Sequence, residues 1–386
     1  LTTAQQRTFN TRKAAGLSDY LALRASRGVS VNNQVVISGG GPVVKNKLFV
    51  FGGYDLDRFR STAVPITTTI SQSGFDLLTA NASQFAAGTV DFLKKTYPVA
   101  NDPTPRGTLN IALPSGGTIA IPVQQFNRGA GAALSYGRDI HRGLFRADWA
   151  MSEKDQVQMR YIKDDNTDPG SPASLAVNQL GSVLINHNAT VSHIRVWNPQ
   201  LIMDTRLTYG RRQADFIENF PAQFSISGSG LPTIGNQNYP QFRTDNLYEM
   251  TNNWSKIGSR HTIRFGFNYL QYRLGSFFAP SSTGVITYPS MSEFLFDRNA
   301  QYQKYAGTGF TFAKTHEWQS FIGDDWRVSP SLTLNLGVRY ERTSAPEGFF
   351  SNAKPDANNW APRFGFAWAP KSSDGLLGLI SGNGKF

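Results

Sequence analysis

Two features of the residue pattern predict an all-β chain that forms part of an antiparallel, membrane-spanning β-barrel. The first is a tryptophan just before a tight turn, at Trp149, Trp197, Trp254, Trp326 and Trp368. In four of these places a strand of alternating polar and apolar residues enters the turn and another leaves it. Amphipathic rings gathered at one end of many strands are stable where lipid meets water. The second feature is the connections, which alternate between short and long. The short ones read SEKD, NPQ, KIGSR and SPS, and the long ones span about residues 60–141, 165–185, 216–243, 275–313 and 344–358. Short periplasmic turns and long outer loops characterise barrels of the bacterial outer membrane. Several loops longer than about 15 residues would be unusual in a compact soluble domain.

Residues two apart share a face of a strand, so the facing can be read strand by strand. SGGGPVVKNKLFVFGGYD places a glycine run before an alternating strand. The loop over 60–141 has helix-compatible spacing at Phe75, Leu78, Phe85 and Phe92, which predicts one or two short helices on the outer surface. Next, Phe145, Ala147, Trp149 and Met151 oppose Arg146 and Asp148, and after SEKD, Val157, Met159 and Tyr161 oppose Gln158 and Arg160. Ile263, Phe265, Phe267 and Tyr269 oppose Arg264, Gly266 and Asn268. Leu332, Leu334, Leu336, Val338 and Tyr340 oppose Thr333, Asn335, Gly337, Arg339 and Glu341. In the last clear strand Trp360, Phe364, Phe366 and Trp368 oppose Arg363 and Gly365.

An arginine at mid-membrane costs roughly 2 to 4 kcal/mol, so the charged parity belongs to a water-filled interior. The expected lumen-facing set is Arg146, Asp148, Arg160, Arg206, Arg264, Arg339, Glu341 and Arg363. The expected aromatic girdle is Trp149, Trp197, Trp254, Trp326 and Trp368. Two residues break the parity: Arg195 shares it with Trp197, and Asp324 with Trp326. Both lie near the turn end, where charge is tolerated or a bulge shifts the register.

Composition narrows the function classes. The 386 residues hold 38 Lys and Arg against 27 Asp and Glu, no cysteine, and no apolar run near the roughly 18 residues of a transmembrane helix. The net charge of +11 raises nucleic acid as a partner, but the basic residues are scattered over strands and loops and gather on no helix. No nucleic acid is expected. The glycine run near Gly40 and the SGNGKF segment near the end both lack the spacing of a phosphate-binding loop, and turn chemistry accounts for them. The histidines at 141, 187, 193, 261 and 316 form no metal-ligand spacing. No nucleophile elbow or paired carboxylate compels a catalytic assignment, so neither enzyme activity nor a metal or other cofactor is expected.

HEWQSFIGDDWRVSPSLTLNLGVRYERTSAPEG followed by NNWAPRFGFAWAP resembles TonB-dependent outer-membrane receptors of the Oar-like type, with their succession of DDW, LTLNLGLRYE and PRxGFA. GGGPVVKNKLFVFGGYDLDR is similar to that family's early barrel strand, and HRGLFRADWAMSEKDQVQMRYIKDD and GSRHTIRFGFNYLQYR to its intermediate hairpins. The resemblance covers most of residues 33–370. It implies a 22-stranded barrel plugged by an N-terminal domain, often behind a carboxypeptidase-regulatory-like module, with uptake driven by the TonB complex.

The chain starts at Leu1 without leader or plug and reads as an internal piece of about ten or eleven strands, half of such a barrel. The expected organisation is a partial barrel over 1–386 with a long extracellular insertion over 60–141. The expected partners are outer-membrane lipid, the TonB complex through the plug region, and an unidentified extracellular ligand. A passive porin or adhesin barrel, or a soluble sugar-binding β protein, are the alternatives.

Overall fold

A computed structural model describes residues 30–129 and 134–369, apart from 219, 221, 237 and 349–351, together with 6, 9, 10, 13, 14 and 375. The SGNGKF segment and the turn after Trp368 fall largely outside them. Along the chain the first strands are β1 (Ser30–Val44), β2 (Leu48–Ala63), β3 (Ile66–Ile70), β4 (Asp102–Ala112), β5 (Thr118–Asn127), β6 (Leu134–Ala150), β7 (Asp155–Asp168), β8 (Leu180–Asn198) and β9 (Leu201–Glu218). They are followed by β10 (Gln223–Ile226), β11 (Gln241–Ile257), β12 (His261–Phe278), β13 (Val285–Tyr288), β14 (Gln301–Gln303), β15 (Phe310–Ser329), β16 (Leu332–Thr343), β17 (Glu347–Gly348) and β18 (Asn359–Trp368). The helices are α1 (Gln72–Ala80), α2 (Thr89–Thr96) and α3 (Met291–Leu295).

The alternating segments pair as one antiparallel sheet in the order β1-β2-β6-β7-β8-β9-β11-β12-β15-β16-β18, with the two-residue β17 beside β15. Each of these strands pairs with the one before it in this order, so the sheet is a meander, and it is not closed. The all-β, partial-barrel expectation is borne out. The short turns owe their tightness to local polar groups. Asn46 takes a positive φ of 57° between β1 and β2, a conformation asparagine tolerates. The Asn198 side chain accepts from Gln200 N at 2.9 Å, and Ser152 Oγ donates to Asp155 at 2.8 Å.

At the other end of the strands the long connections do not hang as separate loops. β3, β5 and β4 form one small sheet, and β10, β13 and β14 another. With the three helices they enclose a single apolar core drawn from four connections. Phe75, Leu78 and Leu93 come from the first, Leu175 from the second, Phe224 and Ile234 from the third, and Phe294 and Leu295 from the fourth. Phe224 meets Phe92 at 4.8 Å and Phe294 at 5.3 Å, both edge to face. Main-chain groups tie the pieces together. Ala86 N donates to Leu295 O at 2.8 Å, Tyr97 Oη to Pro232 O at 2.8 Å, and Asn178 Nδ2 to Thr233 O at 2.7 Å. The helix spacing reflects this core: Phe75 and Leu78 of α1 are buried, and Ser71 caps α1 by accepting from Gly74 N.

The strands also outrun the alternation that revealed them. β2 reaches Ala63 and β6 starts at Leu134, so both strands run into the span 60–141. Polar residues carry the extension. Arg60 donates from both terminal nitrogens to Asp139, at 2.6 and 3.0 Å, across the β2–β6 ladder.

Candidate functional site

Direct pairing partners share a face, so the register sorts every side chain of the sheet. One row runs from Trp149 through Val157, His193, Thr205, Asn252, Phe267, Ser320 and Tyr340 to Trp360, eight strand steps away. Trp368, the tryptophan before the turn in that last strand, lies eight residues below Trp360 (368 minus 360). The line from Trp149 to Trp368 therefore drops one residue per strand. At about 3.4 Å per residue along a strand and about 4.8 Å between strands, that slope corresponds to strands tilted by roughly 35°, within the range of membrane barrels. Trp254 and Trp326 lie within two residues of the line. Trp197, at the bulge between Val196 and Asn198, stacks on Trp254 at 6.3 Å.

A second aromatic line runs parallel to the first. Trp318 lies eight residues above Trp326, as Trp360 does above Trp368, and Tyr209, Tyr248 and Tyr340 fall beside them on the same face. Three tyrosine–histidine pairs continue it: Tyr54 with His141 at 2.5 Å, Tyr161 with His187 at 2.7 Å, and Tyr269 with His316 at 2.6 Å. Eight residues on such a slope rise about 22 Å, close to the roughly 25 Å apolar band of an outer-membrane barrel. From three to six residues above the lower line, this face carries no Asp, Glu, Lys or Arg among the described residues. Polar groups inside the band satisfy one another, as where Asn252 Nδ2 donates to Thr205 Oγ1 at 2.6 Å. The apolar residues are bare of protein: Phe364 is 73% exposed and Phe366 65%. The upper line was missed in the sequence, although the eight-residue spacing of Trp318 to Trp326 and Trp360 to Trp368 was its signal.

The two parity exceptions both find side-chain partners at the turn end. Arg195 lies 3.2 Å from Asp155, its guanidinium 4.3 Å from the Trp197 ring, and His193 Nε2 meets the same carboxylate at 2.9 Å. Asp324 meets His261 Nδ1 at 2.6 Å, and His261 stacks on Trp326.

The register places Arg146, Asp148, Arg160, Arg206, Arg264, Arg339, Glu341 and Arg363 together on the opposite face. Arg146 holds Asp148 at 2.9 Å, and Asp148 also accepts from Gln158 at 2.9 Å. Arg264 holds Asp325 at 2.7 Å, Arg206 lies 3.5 Å from Asp204, and Arg339 contacts Glu341 and donates to Gln319. Hollows open on this face. Arg264, Arg339 and Arg363 line one of about 540 Å³, Arg146, Asp148 and Arg206 one of about 400 Å³, and Arg160 and Arg206 a polar one of about 440 Å³. A fourth, of about 660 Å³, lies higher and is lined by Arg212, Asp245, Leu247 and Tyr272. Arg146 and Arg160 are direct cross-strand partners, an arrangement of like charges that is stable only where water or an anion screens it. Among the described residues no group of three or more His, Cys, Asp or Glu could hold a metal ion.

In the joint core above the sheet, burial pushes the Tyr97 phenol up, and burial with a 2.6 Å hydrogen bond to Asp297 pushes Tyr288 up to about 12. Both phenols are held neutral as hydrogen-bond donors.

The model of the family described as outer membrane beta barrel domain matches residues 7–353. No curated protein matches the chain. Among solved structures, the outer membrane transporter YddB from Escherichia coli aligns with a TM-score of 0.51 at 11% identity, over 88% of this chain and 36% of that one. The siderophore receptor PirA from Acinetobacter baumannii aligns at 0.46, with 11% identity over 87% of this chain and 38% of that one. FpvA of P. aeruginosa, bound to heterologous pyoverdines, aligns at 0.48, with 8% identity over 88% and 39%. At these identities the likeness concerns the fold alone. The chain spans between 36% and 39% of the length of these proteins.

Proposed function

The chain belongs to the outer membrane beta barrel domain family, which places it in the bacterial outer membrane, and from that membership we propose that it is part of the wall of a transporter or receptor that takes up an external ligand. The observation that carries the reading is the two-faced register: one face bears a charge-free band between two aromatic lines, the other a hollowed, arginine-rich surface. The aromatic face meets lipid, and Arg146, Asp148, Arg160, Arg206, Arg264, Arg339, Glu341 and Arg363 face the lumen. The insertion between β2 and β6, with the other long connections, forms an extracellular cap over this side of the wall. Energy comes from the TonB complex acting through a plug region of the whole protein, as the resemblance of the DDW and PRFGFA segments implies. The cationic lumen suits an anionic ligand.

The absence of cysteine from the chain makes facing measurable. In a cysteine-free form of the intact protein in outer membranes, single cysteines placed at Arg264 and at Phe265 should differ: the Arg264 variant reacts with a water-soluble maleimide, and the Phe265 variant does not. Reaction at Phe265 with protection at Arg264 overturns the facing. A steady ion current through the intact protein in planar bilayers, with no binding of the TonB periplasmic domain, would favour the passive pore instead.

A further inference from the structure

At and above the upper aromatic line this same face carries a row of basic residues. Lys163, His187, Arg211, Asn246, Arg273 and Lys314 are successive pairing partners in one row across β7, β8, β9, β11, β12 and β15. The row stands one side-chain step above Tyr161, Tyr209, Tyr248 and His316, which are partners in the row beneath. Measured from the slanted lower line, its members lie seven to twelve residues up, at and just beyond the upper edge of the charge-free band. Six strands at about 4.8 Å spread the row over about 24 Å.

The charges are unequally compensated. Lys163 has Asp165 at 3.3 Å and Lys314 has Glu347 at 3.1 Å. Arg211 reaches only the amide oxygen of Asn246, at 3.4 Å, and Arg273 donates to Gln271 at 2.9 Å while lying over the Tyr248 ring at 5.4 Å. Neither guanidinium has a carboxylate within ion-pair distance among the described residues. They are about 10 Å apart, two strands from each other on a face that the facing proposed above turns toward lipid. A guanidinium there can take phosphate oxygens in paired hydrogen bonds, and the tyrosine row beneath supplies the apolar shelf for a lipid's acyl chains.

We propose that this row is a docking site for the phosphate groups of an outer-leaflet lipid, with Arg211 and Arg273 as its principal contacts. The proposal rests on the assignment of the aromatic face to lipid. It explains why like charges are tolerated in one row: the lipid phosphate is the missing counter-charge.

The test uses the intact protein in phosphatidylcholine nanodiscs, titrated with bisphosphorylated lipid A and with the same lipid lacking its phosphates, with bound lipid counted by native mass spectrometry. The protein should prefer the phosphorylated form. Arg211→Gln with Arg273→Gln should weaken that preference by about thirtyfold, equivalent to about 2 kcal/mol for two surface cations. The double lysine variant, which keeps both charges, should retain most of it and guards against a folding defect in the glutamine variant. Equal binding of both lipids by the unaltered protein, or an undiminished preference in the glutamine variant, overturns the proposal. Loss of the preference in an Arg146→Gln, Arg160→Gln variant instead would overturn the facing itself, and with it the reading on which the site rests.

Discussion

Phe265 lies three residues above the lower tryptophan line, inside the charge-free band, and Leu336 lies at the same height two strands away. On the proposed facing, replacing Phe265 by arginine sets a guanidinium in the lipid interior, at a cost of roughly 2 to 4 kcal/mol. It also removes the parallel stacking on Trp254, whose ring is 6.1 Å away at an interplanar angle of 2°, worth about 0.5 to 1.5 kcal/mol. The sum of about 2.5 to 5.5 kcal/mol is a large part of the stability of an ordinary domain. Two controls isolate the cause. Asn268→Arg in the same strand points to the opposite face, and Gln271→Arg stands level with the upper rim, where the cost falls to about 0 to 1 kcal/mol. The assay is the amount of heat-modifiable, folded intact protein in outer-membrane fractions, with denaturant unfolding in bilayers for the energy. Phe265→Arg and Leu336→Arg should both fail to accumulate, while the two controls assemble. Normal assembly of Phe265→Arg, or an equal loss in Asn268→Arg, would refute the band derived from the register.

The cap should come apart separately from the sheet. Phe224→Ala, which removes the ring between Phe92 and Phe294, should cost about 3 to 5 kcal/mol and expose the long connections to protease on intact cells, with heat-modifiable mobility unchanged. Gly74→Ala would put a methyl 2.7 Å from Pro122 O and 2.8 Å from Ile70, so cap stability should fall by about 1 to 3 kcal/mol in the same proteolysis assay. The raised phenol of Tyr288 gives a pH dependence. Its folded value of about 12 exceeds the ordinary 10.0, so its contribution is complete below pH 10 and is lost as pH rises toward 12. Cap protection should therefore decline over that window, and less steeply in Tyr288→Phe. Arg160→Glu would turn the facing arginines of β6 and β7 into an ion pair, and thermal unfolding in detergent should show stability unchanged or raised by up to about 1 kcal/mol.

The sequence by itself determined the strands, the two faces of each, and the line of tryptophans at the turn side. Period-two alternation is a local property, and residues such as Phe145, Arg146, Ala147 and Asp148 declare their faces without reference to any neighbour strand. It also showed where the parity failed, at Arg195 and Asp324, but their compensation by Asp155 and His261 depends on partners 40 and 63 residues away. Only the tertiary structure decided the register, and with it the slope of the membrane band. Trp149 and Trp360 share a row yet belong to opposite aromatic lines, because each strand is shifted by about one residue relative to the band. The basic row of Lys163, Arg211, Arg273 and Lys314 was invisible for the same reason, since its members are scattered over 151 residues of sequence (314 minus 163). The cap was illegible on stronger grounds. Its core takes a few apolar residues from each of four connections, none of which could bury them alone, so no single segment carried the pattern of a folded unit.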